Sequence, residues 1–115
     1  MPSPIEIHLH RAEKVLEVTF DDGKCFRLPA EYLRVESPSA EVKSQSIEQR
    51  QLVNGRKDVR IVGIEPVGNY AVRLKFDDLH ETGIYSWEYL YLLGQQQQER
   101  WANYLLRLAK QGLVR

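Results

Sequence analysis

The sequence contains a single cysteine, Cys25, among its 115 residues. One thiol cannot form an internal disulfide, and it cannot hold a zinc ion or an iron–sulfur cluster unaided, because such sites take several protein ligands. The chain also has no apolar run of the roughly 18 to 20 residues that a transmembrane helix needs. These absences exclude a scaffold stabilised by internal disulfides and a transmembrane helix within this sequence.

An excess of charge of either sign is absent as well, since 16 Lys and Arg residues balance 16 Asp and Glu residues and the isoelectric point is near 6.8. Without net charge the protein has no global field that would concentrate nucleic acid or an anionic membrane. The opening segment MPSPIEIHLH lacks the basic stretch and the apolar core of a signal peptide. We therefore expect a cytoplasmic protein that binds neither nucleic acid nor membranes.

Alternation of apolar and polar residues predicts strands in the first third of the chain. Residues 5–10 read IEIHLH, and residues 14–28 form a predicted hairpin that turns at the Asp-Asp-Gly sequence of residues 21–23. Pro29 suits the first position of a helix, so a short helix is expected near residues 29–34.

The middle of the chain combines a polar stretch with a second hairpin. Residues 35–58 are rich in Ser, Gln, Glu and Arg without a sustained apolar period, which predicts a long surface excursion. Residues 60–76 then read as two strands joined by a Gly-Asn turn. Residues 77–83 form a predicted polar loop, and residues 84 and 85 are either a brief strand or the entry to a helix.

The C-terminal third carries helix signals. Ser86 is a suitable N-cap for a helix beginning at Trp87. Residues 95–111 predict an amphipathic helix, whose expected apolar stripe consists of Trp101, Leu105, Leu108 and Ala109. Two antiparallel hairpins forming a small sheet system, with C-terminal helices packed against it, describe an α+β fold. We expect one domain over residues 1–115, with its core in residues 5–95.

Three groups of side chains could carry chemistry. His8 and His10 stand two apart on a predicted strand, so they could chelate a metal ion from one face, or that face could simply be exposed. Residues 77–81 place three carboxylates around His80, which fits acid–base chemistry, a metal site or a solvated loop. Cys25 lies in a return strand, which favours a packed or half-buried thiol over a nucleophile.

Tyrosine and tryptophan are concentrated toward the C-terminus. Most of these rings should pack the helices onto the sheet, and any left at the surface would be favourable anchors for a protein partner. The residues concerned are Tyr85, Trp87, Tyr89, Tyr91, Trp101 and Tyr104.

Four stretches taken together resemble the gamma-butyrobetaine hydroxylase-like N-terminal domain family. They are residues 21–23 (DDG), 26–34 (FRLPAEYLR), 68–72 (GNYAV) and 78–90 (DLHETGIYSWEYL), within a resemblance that covers roughly residues 5–95. Small stand-alone bacterial members have no established function. Similar domains precede the catalytic domains of gamma-butyrobetaine and trimethyllysine hydroxylases and are attached to some Mrp-type iron–sulfur carrier ATPases. The resemblance implies a module without the hydroxylase catalytic domain, so no enzymatic activity is expected.

The resemblance also implies a position for a metal site. In the hydroxylase branch, three cysteines in a Cys-x-Cys-x-x-Cys arrangement and one distant histidine form a small zinc module. The matching positions in this sequence are Ser37, Ser39, Val42 and His80. Serine hydroxyls are weak ligands for zinc, and valine offers no lone pair. We therefore expect a degenerate, metal-free site and no cofactor.

The loops that carry this degenerate site should still meet in space, which makes their junction a candidate binding site. The candidate binding residues are Arg34, Ser37, Ser39, Asp78, His80 and Tyr85. We therefore interpret the chain as a non-enzymatic binding or adaptor module with a protein partner. The alternative is an iron or zinc protein that uses His80 with Asp78 and Glu81, and with His8 or His10 as a further ligand, or an accessory factor linked to iron–sulfur cluster assembly.

Overall fold

The first three strands form one antiparallel sheet. The structure, a computed structural model, describes residues 2–37, 57–77 and 83–113. Strands β1 (Pro4–His10), β2 (Val15–Phe20) and β3 (Cys25–Pro29) pair in that order. The predicted hairpin is confirmed, and its turn works because Gly23 adopts a φ of 90°, a conformation that favours glycine.

The second sheet is built in the same way from the later strands. Strands β4 (Ile61–Val67), β5 (Ala71–Phe76) and β6 (Gly83–Ser86) pair antiparallel in that order. The second predicted hairpin is therefore confirmed, and the segment at residues 84 and 85 is a strand rather than a helix entry. In the register of β5 and β6, Val72 lies opposite Tyr85.

Three helices complete the described structure: α1 (Ala30–Val35), α2 (Trp87–Gln95) and α3 (Gln97–Lys110). Ser86 caps α2 as predicted, since its Oγ accepts a hydrogen bond from the main-chain N–H of Tyr89 at 3.0 Å. None of the helices in the described residues is long and apolar enough to cross a membrane.

The C-terminal helix differs in detail from the sequence expectation. It begins at Gln97 rather than residue 95, because Gln96 has φ −104° and ψ 13° and interrupts the helical path. Its buried residues are Tyr104 and Leu108, whereas Leu105 is 40% exposed and Ala109 is exposed. The helix is thus rotated so that Tyr104, with its larger apolar area, takes the core-facing position expected for Leu105.

One apolar core joins the two sheets with α1 and α2. β2 contributes Leu16, Val18 and Phe20, and β5 contributes Val72, Leu74 and Phe76, each on the inward face that strand alternation creates. The alternation of apolar residues in β1 buries fewer side chains than expected, because Ile5 is 69% exposed. It lies where the register of β1 against β2 shifts between Pro4 and Glu6, and this irregularity disturbs the inward face.

A close contact between α2 and β3 fixes how the helix lies on the first sheet. A Cβ atom at Gly94 would lie 2.3 Å from Cγ of Phe26. Phe26 is itself held by edge-on contacts with Phe20, at a centroid distance of 5.9 Å, and with Tyr91, at 5.5 Å. Gly94 is therefore required by packing rather than by its backbone conformation.

We predict that Gly94→Ala destabilises the protein by about 1–3 kcal/mol, the usual cost of forcing extra volume into a packed contact. In a Phe26→Ala background the same substitution should be neutral or stabilising, because alanine favours a helix over glycine by about 1 kcal/mol once the ring is gone. Urea unfolding of the four proteins measures both effects. An equal loss in both backgrounds would contradict the steric explanation.

Candidate functional site

The C-terminal end of α1 is tied to β6 by a buried tyrosine. Tyr85, with no exposed surface, donates a hydrogen bond from its hydroxyl to the main-chain carbonyl of Leu33, and a side-chain hydrogen bond joins it to Ser37. Burial raises the pKa of the Tyr85 hydroxyl well above its usual range. The group therefore remains a protonated donor at physiological pH.

A second set of contacts ties the same end of α1 to α2 and α3. The Tyr89 hydroxyl donates to the main-chain carbonyl of Glu36 at 2.5 Å. The Glu36 carboxylate accepts a hydrogen bond from Nη1 of Arg100 at 2.7 Å, while Nε of Arg100 donates to Oε1 of Gln96 at 2.9 Å. Because each group is only partly exposed, this charge-assisted pair is screened less than a pair at the open surface.

α1 also reaches back toward α2 through a third tyrosine. The Tyr32 hydroxyl donates to the main-chain carbonyl of Leu93 at 2.7 Å, and the residue is 1% exposed. Burial raises the pKa of this hydroxyl as well. Three tyrosine hydroxyls thus bond to main-chain carbonyls around one short helix, and we refer to Tyr32, Tyr85 and Tyr89 with their acceptors as the tyrosine junction.

The described candidate binding residues come together at this junction. Arg34 is 7% exposed, Ser37 is 2% exposed and Tyr85 is fully buried. Burial raises the pKa of the Tyr85 hydroxyl, and the positive charge of Arg34 nearby acts in the opposite direction. These three residues are buried beneath the candidate binding site and do not themselves form an open surface. The other candidate positions, Ser39, Val42, Asp78, His80 and Glu81, lie outside the described residues.

The histidine pair lies on the outer face of the first sheet. The His8 and His10 rings stack with centroids 4.4 Å apart, and Nε2 of His10 is 2.7 Å from Oε1 of Glu17. The hydrogen bond from His10 lowers the pKa of Glu17, and a second bond from Cys25 acts in the same direction. Within residues 2–37, 57–77 and 83–113, no group of three or more His, Cys, Asp or Glu side chains is arranged to hold a metal ion.

Cys25 corrects another expectation, because its thiol is exposed rather than packed or half-buried. The residue lies on an edge strand, and its side chain shares the outer face with Glu17, to which the thiol donates at 3.2 Å. Leu28, three residues further along β3, occupies the inward face instead. The sequence position of Cys25 within a strand could not show which of the two faces was buried.

The C-terminal aromatic residues mostly pack against the core, as expected. Tyr85 and Tyr104 are buried, and the half-buried rings that pack against the core cluster are Trp87, Tyr89, Tyr91 and Trp101. Their polar groups also have partners within the chain: the Trp87 indole donates to the carbonyl of Asn69 at 2.8 Å, and the Tyr91 hydroxyl donates to the Asp22 carboxylate.

Sequence reasoning missed the roles of Tyr32, Tyr89 and Arg100. A tyrosine hydroxyl that donates to a distant carbonyl leaves no periodic pattern in the sequence. For Tyr32 and Tyr89 the sequence therefore indicates only that the rings pack against the core. Arg100 did carry a local signal, because it stands four residues after Gln96 and side chains at that spacing meet on a helix.

The chain matches the family model described as "Gamma-butyrobetaine hydroxylase-like, N-terminal" over residues 7–91. It belongs to this family. The match includes both hairpins and ends within α2, so it contains Tyr32, Tyr85 and Tyr89 but not Leu93, whose carbonyl accepts the bond from Tyr32. A search of curated proteins found no match.

Solved structures support the same assignment. Two solution structures determined by NMR each superpose with a TM-score of 0.86 and cover 100% of this chain; one is 43% identical over 90% of its own length and the other 47% identical over 86%. A crystal structure of a protein of unknown function from Acidithiobacillus ferrooxidans, described as a member of the DUF971 family, is 42% identical with a TM-score of 0.67. It covers 80% of this chain and 92% of its own length.

We predict that Tyr85→Phe lowers the free energy of unfolding by about 1–3 kcal/mol, because the buried carbonyl of Leu33 loses its donor while the ring volume is kept. Tyr70→Phe, at a tyrosine that is 56% exposed, is the matched control and should change little. Chemical denaturation measures the free energy of unfolding of both variants. Equal stability of Tyr85→Phe and Tyr70→Phe would show that the Tyr85 hydroxyl does not hold α1.

Proposed function

We propose that this chain is a non-enzymatic binding module in which hydrogen bonds replace the metal that pins two loops in the hydroxylase branch of the family. The observation that carries the proposal is the pair of hydrogen bonds at the Tyr85 hydroxyl, which donates to the main-chain carbonyl of Leu33 and accepts from the side chain of Ser37. They act at the end of α1, where the first family ligand position, now Ser37, begins the degenerate site.

The donor chemistry of the four positions supports a metal-free site. Ser37 and Ser39 are neutral hydroxyls, Val42 has no ligand atom, and His80 alone retains a good one. Ser37 is 2% exposed and bonded to Tyr85, which leaves its hydroxyl already engaged. A single imidazole with such neighbours is a poor site for a structural zinc ion.

We place the recognition site on the polar surface that the tyrosine junction supports. Arg34, Ser37 and Tyr85 form its buried base, and we propose that Ser39, Asp78 and His80 complete it. Arginine and carboxylate groups held on a rigid scaffold suit a polar peptide segment of a protein partner. The balanced charge of the chain supports a protein rather than a nucleic acid as partner, and we propose that the encounter takes place in the cytoplasm.

The metal-free site is tested by elemental analysis of protein purified without a histidine tag. We predict far less than one equivalent of iron or zinc per chain, and a melting temperature unchanged by EDTA, because no binding energy of a structural metal would be lost. Stoichiometric metal that disappears in His80→Ala would favour the metal-protein alternative, including an accessory role in iron–sulfur cluster assembly.

The binding role is tested by affinity capture from native lysate, followed by in vitro binding of the protein that is recovered. We predict that Asp78→Asn and His80→Ala each weaken binding at least about tenfold, the loss expected when a hydrogen bond to a charged group is removed. Leu106→Ala, at a side chain 61% exposed on α3, is the control and should bind normally. Arg34→Ala is unsuitable because Arg34 is buried, so a lost partner could reflect unfolding.

Recovery of one partner by wild type and control, but not by the two variants, supports the proposed site. Binding that survives both substitutions would assign the degenerate site to structure alone.

A further inference from the structure

An apolar stripe runs along the solvent-facing side of α3. It consists of the exposed residues Ala102, Leu105, Leu106 and Ala109, of which Leu105 is 40% exposed and Leu106 61%. Their spacing of i, i+3, i+4 and i+7 places them on one face of the helix. Apolar residues at a protein surface are usually scattered singly, whereas these are contiguous, as is typical of an interaction surface.

The stripe is separate from the tyrosine junction. On other faces of the same helix, Arg100 is directed to Glu36, and Tyr104 and Leu108 are buried in the structure. The helix also begins at Gln97, after the family match has ended at residue 91. The stripe therefore belongs neither to the proposed recognition site nor to the part of the chain that the family model matches.

The two ends of the stripe are flanked by opposite charges. Glu99 lies in the first turn of α3 and Lys110 in the last, and both are exposed. About three turns of helix separate the two residues, so they lie on the same flank of the stripe. Within the described parts of the chain neither residue takes part in a salt bridge, which leaves both charges available to another molecule.

An antiparallel second copy of α3 matches this charge pattern. The two-fold axis of such a pair brings the same flank of both helices together, so that Glu99 of each copy faces Lys110 of the other. Centring the pair on the contact between Leu105 and the second copy's Leu106 leaves these two charges only about 3 Å apart along the helix axis. In a parallel pair the charges would lie on opposite flanks and could not meet.

The surface is large enough for a weak dimer. In this register Ala102 lies opposite the second copy's Ala109, and small side chains let two helices approach closely. The apolar surface continues past the uncharged flank, because Ala102 and Leu105 also line a groove of about 810 Å³ that reaches Pro29 and Gly94. A helix of 14 residues still buries less than the roughly 800 Å² per partner of a standard interface, so we expect a dissociation constant on the order of 100 μM. The zero net charge of the chain leaves no overall repulsion between copies.

We propose that α3 forms the contact surface of a weak homodimer in which two copies pair antiparallel through this stripe. The leucines at its centre are buried by the pairing, and two ion pairs between Glu99 and Lys110 close one flank. The dimer does not depend on the proposed recognition site, so the failure of one would leave the other standing.

Sedimentation equilibrium of the full chain between about 10 μM and 1 mM tests the dimer. We expect the average mass to rise with concentration from that of one chain, 13.4 kDa, toward twice that value. Leu106→Glu should keep the protein monomeric throughout, because pairing would bury an unpaired carboxylate. Ile5→Glu, at a side chain 69% exposed on β1, is the matched control and should associate like wild type.

Charge reversal tests the antiparallel arrangement. Glu99→Lys and Lys110→Glu each place like charges opposite one another, and each should raise the dissociation constant about tenfold. An equimolar mixture of the two variants should regain wild-type association, because every facing pair in the mixed dimer is of opposite charge, and added salt should weaken that association. Circular dichroism of each variant checks that α3 remains helical, since the original charges also suit the helix dipole.

A mass of one chain at every concentration would overturn the proposal. A dimer that persists in Leu106→Glu, or that is lost in Ile5→Glu, would overturn it too, because the contact would then lie on another surface. A mixture of the charge variants that associates no better than either variant alone would contradict the antiparallel pairing.

Discussion

The position of α1 depends on hydrogen bonds that its own sequence cannot supply. A helix of six residues is too short to be stable in isolation, and the carbonyls of its last turn have no partners within the helix. Here Tyr85 and Tyr89 donate to the carbonyls of Leu33 and Glu36, and Tyr32 returns a bond from α1 to the end of α2. These bonds join α1 to β6 and to α2, and the bond from Arg100 to Glu36 joins it to α3 as well.

Holding the end of a helix by tyrosine hydroxyls differs physically from holding it by a metal. Metal coordination requires deprotonated ligands, so it responds to pH and to chelators. The Tyr85 hydroxyl has a pKa raised by burial, which keeps its proton in place over the physiological range. A junction built from such hydrogen bonds does not depend on the ionisation of its ligands or on the supply of a metal.

The sequence predicted the elements that depend on local patterns and failed where tertiary packing decides. Strand alternation and the Ser86 cap are local, and both hairpins and the start of α2 were correctly predicted. The side of α3 that faces the core depends on which neighbour it meets, and in the structure Tyr104 rather than Leu105 is buried there. Exposure of Cys25 likewise depends on which sheet face the helices cover. At the candidate site, the sequence predicted that Arg34, Ser37 and Tyr85 lie close together, but it could not show that all three are buried.

The break between α2 and α3 determines how α3 contacts α1. If the helix continued straight through Gln96, residues 100 and 101 would lie on a different path from the one observed. With the break, Arg100 reaches Glu36 at the C-terminal end of α1, and the next residue, Trp101, packs against Tyr32 nearer its beginning. Consecutive side chains on α3 therefore brace both ends of α1. The non-helical conformation of Gln96, whose side chain accepts a hydrogen bond from Arg100, therefore sets the direction of α3 and with it the contacts that α3 makes to α1.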